Sequence, residues 1–188
     1  NIGLEEIGVN VNKGFVEVDF KTMQTDVENI YALGDIVYDT PQLAHVAFAE
    51  AISAITHIAT GESSPVNYKA IPYVVYTRPE LAEVGLNSEK AKEIGIKLNQ
   101  AQHSIAGIGR ALLQNQNKGI VKVYSEEGGP IVGASVCGPA AGEMIHELMY
   151  MVGWEALPSE ASEFIHAHPT LSEAIGESLL SLNGRGLH

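Results

Sequence analysis

Cysteine is almost absent from this sequence: Cys137 is the single one among 188 residues. One thiol cannot form an internal disulfide, a Cys-x-x-Cys redox pair or a four-cysteine zinc site, so this chain by itself has none of these. Such scarcity is typical of proteins from a reducing compartment, and we expect a cytoplasmic location. Because Cys137 ends the apolar run 131–137, we expect its thiol to be buried and unreactive.

Long apolar runs and basic residues are also scarce. No apolar run approaches the ~20 residues that cross a bilayer, and the N-terminus lacks a charged-then-apolar signal segment. Lys and Arg together number 11 against 23 Asp and Glu, which gives a net charge of −12. This charge repels nucleic acid and anionic membrane surfaces, so we expect neither as a partner.

The remaining composition is that of an ordinary globular protein, with 45% hydrophobic and 18% charged residues. The length of 188 residues suits one large domain or two small ones. The first residue is Asn1 rather than Met, and the residues that follow are apolar and strand-like from the outset. We therefore expect the chain to be a piece of a longer polypeptide.

The first third of the sequence contains one strand-to-helix unit. Apolar and polar residues alternate over 15–19, which predicts a half-buried strand, and 29–33 is predicted as a second strand. An Ala-rich stretch, 42–60, has apolar residues at helical spacing, and Gly61 after it is a natural helix stop. Its small side chains suit close packing against another backbone or a ligand. Residues 62–66, which include Ser-Ser-Pro, are predicted as a linker.

After the linker, strands are grouped with strands and helices with helices, which is the pattern of an α+β domain. Gly128, Gly129 and Pro130 mark a turn between two apolar runs, so these runs are predicted to pair as a hairpin. A short helix is predicted with Ser88 as its N-cap. The predicted strands are 73–77, 119–124 and 131–136, and the predicted helices are 88–95, 143–152 and 170–182.

The most informative stretch for chemistry is 164–177, where an extended segment with two histidines precedes a helix. Histidine is the side chain best suited to move protons near neutral pH, and a catalytic one needs an acceptor that orients its second ring nitrogen. His168 before the predicted helix and Glu173 in its first turn can approach each other for this purpose. Helix-start chemistry is the alternative, because Thr170 and Glu173 have the spacing of a capping box. Spacing alone favours capping.

Three weaker patterns have structural interpretations. His166 alternates with His168, so its ring should lie on the opposite side and serve structure or an interface. Glu143 and His146 have the i, i+3 spacing of a di-iron ligand pair, but such sites need further carboxylates on neighbouring helices, so we expect no metal site. The string 107–112 lacks the third glycine of a nucleotide-binding loop and is predicted to be an ordinary loop.

Residues 168–173, HPTLSE, resemble the HPTxxE signature of the pyridine nucleotide–disulfide oxidoreductases. Further segments resemble this family in the same order along the chain; they are 25–35, 42–45, 76–85 and 133–143. The continuation Leu-Ser-Glu-Ala is similar to the dihydrolipoyl dehydrogenase branch, whereas the glutathione reductase branch has a second Glu where Ala174 stands. The resemblance covers essentially the whole chain and points to the C-terminal part of such an enzyme.

The resemblance implies a fold and a catalytic pair. Residues 66–188 would form the family's interface domain, an antiparallel sheet with helices that dimerises, and 1–65 would be a partial segment of the α/β FAD-binding domain. His168 would be the acid/base that takes a proton from a dithiol substrate, and Glu173 would hold its imidazole. The bond from His168 to Pro169 is expected to be cis.

The resemblance also implies cofactors and partners. Asp35 would hydrogen-bond the ribityl chain of FAD, and backbone groups of Gln42, Leu43, Ala44 and His45 would face the pyrimidine edge of the flavin at a helix N-terminus. NAD would bind outside this chain, which also lacks the Cys-x4-Cys redox pair of the family. The implied partners are a second copy of the chain, lipoamide as substrate and the components of a 2-oxo acid dehydrogenase complex. The chain alone is expected to be inactive.

Two other functions remain open at this point. The chain could be a self-association and docking module without chemistry of its own, a role for which Met144, Met149 and Met151 offer an adaptable apolar helix surface. It could also belong to another flavin disulfide reductase, of the glutathione or mercury type. Leu171 and Ala174 in the signature, and the lack of a C-terminal cysteine pair, argue against that assignment.

Overall fold

The computed structural model describes residues 2–187, and the chain divides into two compact units between Asn67 and Tyr68. The N-terminal unit has a small core of its own around Met23. The C-terminal unit has a larger core beneath a five-stranded sheet. Within the described residues, no helix is both long enough and apolar enough to cross a membrane.

Regular strands are short in the N-terminal unit. Val11–Asn12 (β1) and Phe15–Val16 (β2) form an antiparallel pair, and the other pairings in the described part of this unit are isolated bridges. The strand predicted over 15–19 is thus limited to β2, and the prediction of a regular strand over 29–33 is wrong. A positive φ of 67° at Asn29 interrupts the extended conformation where that strand would begin.

The Ala-rich stretch is confirmed as a helix, Ala44–Thr60 (α1). It begins later than predicted because Leu43 is still extended, with φ −135° and ψ 135°. It ends as predicted at Gly61, where φ is 74° and the N–H donates to the His57 carbonyl. Its buried residues are Val46, Glu50, Ser53 and Ala54.

The C-terminal unit is built on one antiparallel sheet. Its strands are Pro72–Val75 (β3), Glu80–Gly85 (β4), Leu98–Ser104 (β5), Ile120–Glu126 (β6) and Ile131–Gly138 (β7). They are ordered β3-β4-β7-β6-β5, and all neighbours are antiparallel. The predicted hairpin is confirmed as the pair of β6 and β7, whose register shifts between Tyr124 and Ser125.

Among residues 68–187, five α-helices accompany this sheet, and two of them cover one of its faces. The five are Ser88–Glu93 (α2), Gly109–Leu113 (α3), Ala141–Gly153 (α4), Pro158–Ala161 (α5) and Glu173–Leu182 (α6). α4 packs on β4 and β7, and α6 packs on β5 and β6. Ile145, Leu148, Ile175 and Leu179 of these two helices are fully buried in the core. The burial of each such side chain stabilises the folded state by roughly 1.5–3 kcal/mol. The predicted α+β fold is confirmed.

Two local predictions in this unit are wrong. The string 107–112 is not a loop, because most of it lies in α3, with Ala111 buried in the core. The N-cap of α2 is Asn87 rather than Ser88. The Asn87 side chain accepts hydrogen bonds from two N–H groups of the first turn, at 3.1 and 3.0 Å, which is the usual chemistry of an N-cap.

The burial of strand β7 alternates, and this corrects the prediction for its cysteine. Cys137 is half-buried rather than buried, because it follows the buried Val136 and points to the face of the sheet opposite α4 and α6. Gly133 on the same strand lies against the backbone of the chain beyond β4. A Cβ atom there would stand 1.9 Å from the carbonyl oxygen of Leu86, so only glycine fits.

Candidate active site

The segment between α5 and α6, residues 162–172, carries the predicted base. The segment has no helix or strand, and its His168–Pro169 bond is cis, as expected. The predicted helix start at Thr170 is wrong, since α6 begins at Glu173. The hydrogen bonds that lead into α6 are of the shorter i→i−3 kind before the α-helical pattern is established, which delays the helix.

Glu173 makes both of the interactions that the sequence allowed. Its Oε1 lies 2.8 Å from Nδ1 of His168, and its Oε2 accepts a hydrogen bond from the Thr170 N–H at 2.9 Å. Thr170 does not complete a capping box, because its hydroxyl donates to the Ala167 carbonyl at 2.7 Å. One carboxylate therefore holds both the imidazole and the backbone at the start of the helix.

The charge of Glu173 decides which ring nitrogen of His168 is the donor. The Thr170 N–H is the main cause that lowers the pKa of Glu173; partial burial opposes it, and the hydrogen bond with His168 adds to it. At neutral pH Glu173 is thus a carboxylate, which can only accept. Nδ1 of His168 must then donate, so Nε2 of the neutral ring is the atom that can take a proton. The His168 side chain is 75% exposed, so a reactant can reach it.

The second histidine of the segment faces a different helix. Nε2 of His166 lies 2.6 Å from Oε1 of Glu147 on α4, and the His166 side chain is only 14% exposed. The hydrogen bond with Glu147 is the main cause that raises the pKa of His166; burial opposes it, and the charges of Glu147 and Glu173 add to it. This pair ties the segment that carries His168 to α4.

The residues assigned to the flavin lie together in the N-terminal unit at the start of α1. Asp35 is exposed on a 3₁₀ turn, and the Gln42 side chain donates to the Asp35 carbonyl at 3.2 Å. Leu43 precedes the helix and gives it no side-chain cap, and Ala44 and His45 form its exposed first turn. A helix start of this kind favours anions and partial negative charge.

Sequence reasoning missed Glu50, which holds the turn that carries Asp35. Glu50 is fully buried on α1, and its Oε2 accepts a hydrogen bond from the Gly34 N–H at 2.6 Å. Gly34 has a φ of 74°, and a Cβ atom there would stand 3.3 Å from that of Ala47. The signal was present in the sequence, because a lone charge on the apolar face of an Ala-rich helix needs a buried donor.

Two family models match the chain. The one described as pyridine nucleotide-disulphide oxidoreductase, dimerisation domain, matches residues 71–179. The chain belongs to this family. The model described as pyridine nucleotide-disulphide oxidoreductase matches residues 1–51, in the N-terminal unit. The family resemblance inferred from the HPTLSE segment is thereby confirmed.

Curated relatives within the family are dihydrolipoyl dehydrogenases. The chain is 42% identical over 189 residues to that of Geobacillus stearothermophilus, which covers 100% of this chain and 40% of the relative. It is 40% identical over 187 residues to that of Haloferax volcanii, covering 98% of this chain and 39% of the relative. The chain therefore spans about two-fifths of the length of the curated relatives that it matches.

Solved structures of related oxidoreductases have the same fold. LpdA from Mycobacterium tuberculosis superposes with a TM-score of 0.86 at 28% identity, covering 97% of this chain and 40% of that one. The HOCl-induced flavoprotein disulfide reductase RclA from Escherichia coli, in a Cu(II) complex, superposes with a TM-score of 0.80 at 26% identity. The match covers 94% of this chain and 40% of the RclA chain. These likenesses extend across both units of the chain.

Glu143 and His146, which have the i, i+3 spacing of a ligand pair, contact each other through the Glu143 main chain. Nδ1 of His146 is 3.4 Å from the Glu143 carbonyl oxygen, a contact within one turn of α4. Among residues 2–187, no group of three or more His, Cys, Asp or Glu side chains is arranged to hold a metal ion.

Proposed function

We propose that this chain is the C-terminal portion of a dihydrolipoyl dehydrogenase, which oxidises dihydrolipoamide to lipoamide with FAD and NAD. The observation that carries the proposal is the contact of 2.8 Å between His168 and Glu173 on an exposed segment. The similarity to curated dihydrolipoyl dehydrogenases, which extends along this chain from end to end, supports the choice of substrate. The location that fits this role is the cytoplasm.

His168 is the acid/base of the proposed reaction. Nε2 takes the proton of a substrate thiol, and the thiolate that results is the species that attacks a disulfide. Glu173 accepts from Nδ1 throughout, so it fixes the orientation of the ring and stabilises the imidazolium that forms. General acid/base catalysis of this kind contributes about 10²–10⁴-fold to the rate.

The start of α1 fits the flavin that the family implies. An exposed carboxylate at Asp35 can accept a hydrogen bond from a sugar-alcohol hydroxyl, and the helix start formed by Gln42, Leu43, Ala44 and His45 carries no side-chain cap. FAD, when bound, would supply the acceptor for the two electrons of the dithiol, and NAD would be their final acceptor. Glu50 and Gly34 keep the turn that carries Asp35 in position.

The active unit of the proposal is a homodimer. Four exposed side chains near the His168 segment form an aromatic patch: Tyr150, Trp154, Phe164 and Ile165. Tyr150 and Trp154 stack at 5.1 Å between ring centroids, and the patch lines a groove of about 820 Å³ beside His166. A second copy of the chain is the partner that a dimerisation domain calls for, and exposed patches of this kind mark interaction sites.

The remaining partners are those of the intact enzyme. The chain holds a single cysteine, so the redox disulfide must come from outside it, and the chain alone is inactive in this proposal. The components of a 2-oxo acid dehydrogenase complex are the proposed further partners, because they carry the dihydrolipoamide that the enzyme reoxidises to lipoamide.

The test is His168→Ala in the intact flavoprotein that contains this chain. Dihydrolipoamide oxidation should fall by about 10²–10⁴-fold, because the base is lost, while FAD stays bound. His146→Ala on α4, an exposed histidine remote from the pair in sequence, is the matched control and should keep full turnover. Near-wild-type oxidation of dihydrolipoamide by His168→Ala would show that His168 is not the acid/base.

A second candidate is another flavin disulfide reductase, which the structural likeness to RclA favours. The pair of His168 and Glu173 would serve any reaction that moves a proton to or from a thiol. Steady-state rates with dihydrolipoamide and with glutathione disulfide, measured on the same preparation, separate the two. A pure self-association module would give neither activity in the intact protein.

A further inference from the structure

A second histidine–carboxylate pair lies beside the first, and the proposed mechanism does not use it. Nε2 of His166 and Oε1 of Glu147 are 2.6 Å apart, which is the short distance of a charge-assisted hydrogen bond. The two partners are 19 positions apart in the sequence, so the contact joins separate elements. It connects the segment after α5 to the side of α4.

The other side of the His166 ring lies against α6. A Cβ atom added at Gly176 would stand 2.6 Å from Nδ1 and 3.1 Å from Cε1 of His166. Protein interiors are close-packed, so a methyl group there displaces the ring. The ring is therefore held by Glu147 of α4 on one side and by the backbone of α6 on the other.

His166 is the least exposed residue of the stretch 163–169, which leads into His168. Every other residue of 163–169 is exposed, and His166 is the one that is not. His168 is 75% exposed and relies on Glu173 to hold its Nδ1 atom. The contact with Glu147 thus joins this backbone to α4, while Leu171, which packs on the core, and the contacts of Glu173 hold it on the side of α6.

We propose that His166, clamped between Glu147 and Gly176, is a positioning residue that fixes the segment from which His168 acts. The inference rests on the proposed acid/base role of His168. It requires no contact between His166 and the substrate, and it predicts a loss of rate rather than of substrate binding.

The first test uses the intact flavoprotein with dihydrolipoamide as substrate. His166→Ala should lower kcat by about tenfold with little change in KM, because a misplaced base slows the proton transfer without removing binding contacts. His166→Gln keeps a side-chain N–H that can donate to Glu147 and should restore most of kcat. Reduction of the bound flavin by NADH uses neither histidine and should be unchanged, as should all rates in the control His146→Ala.

The second test uses Gly176 to separate positioning from helix stability. Alanine is the better helix former, so Gly176→Ala does not weaken α6 by propensity. It should nevertheless lower kcat by about tenfold, since the added methyl group displaces the His166 ring. The double variant His166→Ala/Gly176→Ala should be no slower than His166→Ala, because the ring is already gone. If the losses of kcat from the two substitutions multiply in the double variant, Gly176 does not act through the His166 ring and the proposed positioning role is wrong.

The third test reads the geometry without turnover. Ring-nitrogen NMR shifts of His168 in the intact flavoprotein, at a pH where the ring is neutral, should report one tautomer, with the proton on Nδ1, and His166→Ala should mix the two tautomers. Full kcat and an unchanged His168 signal in His166→Ala, alongside a His168→Ala enzyme that is nearly inactive, would overturn this inference alone. Full turnover in His168→Ala would overturn the proposed function as well.

Discussion

Nδ1 of His168 lies 2.8 Å from Oε1 of Glu173, and the same carboxylate accepts the Thr170 N–H through its other oxygen. The group that orients the imidazole is therefore also the group that organises the first turn of α6. Because all three residues lie within 168–173, the local chain itself sets most of the geometry of the pair.

Glu173→Gln in the intact flavoprotein should lower kcat for dihydrolipoamide by about 10²-fold, since the imidazolium loses its counter-charge and the ring its preferred tautomer. His168 and Thr170 donate to different oxygens of Glu173, and in the amide one of these positions becomes an NH2 group, which cannot accept, so one of the two contacts must be lost. Glu177→Gln, one turn further along α6, is the matched control and should keep full turnover. Equal rates in the two variants would remove Glu173 from the proposed mechanism.

The pair of His166 and Glu147 should make the stability of the C-terminal unit depend on pH. The pKa of His166 is raised by Glu147, and the carboxylate of Glu173 on α6 and the Phe164 backbone act in the same direction against burial. A raised folded-state pKa adds stability that is fully present below the unfolded value of about 6.5 and is lost as pH rises through the folded-state pKa.

Glu147→Gln therefore should destabilise the chain at low pH and hardly at all at high pH. The expected loss in the free energy of unfolding is about 1–2 kcal/mol near pH 6 and close to zero near pH 9. Urea unfolding followed by circular dichroism at the two pH values measures it, with Glu143→Gln on the same helix as control. A loss of equal size at both values would show that the charge of His166 makes no contribution.

The elements with a strong periodic pattern were predictable from the sequence. α1, α4 and the hairpin of β6 and β7 each bury one face, and burial imposes the period that the sequence displays. The His168–Glu173 pair was within reach for a different reason, since its members are close in the chain. In both cases the deciding interactions are local or repeat along one element.

What the sequence did not reveal depends on residues that are far apart. The contact between His166 and Glu147 joins different elements, and Glu50 reaches Gly34 across 16 positions. No spacing rule selects one such pair among the many carboxylates of an acidic chain. The strand predicted over 29–33 failed because Asn29 has a positive φ and only Tyr31 pairs, in an isolated bridge to Gln24.

Glu50→Ala should loosen the turn that carries Asp35. The Gly34 N–H would be buried without its partner, which costs about 1–3 kcal/mol. Hydrogen exchange of the Gly34 amide should quicken accordingly, and the intact flavoprotein should retain less FAD after dialysis. Glu62→Ala, at an exposed position just beyond α1, is the control and should change neither quantity. Slow exchange at Gly34 in the Glu50 variant would mean that another group holds this turn.

Charge placed in the aromatic patch should separate the proposed dimer. Ile165 is 98% exposed and Trp154 is 76% exposed, so neither side chain is needed for the fold of a single copy. Ile165→Asp should therefore leave the circular dichroism spectrum intact, while sedimentation velocity shifts from dimer to monomer at micromolar concentration. A buried unpaired carboxylate weakens an interface by several kcal/mol, or about a thousandfold or more in the dimer dissociation constant. Ile94→Asp, an exposed apolar position at the end of α2, is the matched control. If both variants stay dimeric, the second copy binds at another surface of the C-terminal unit.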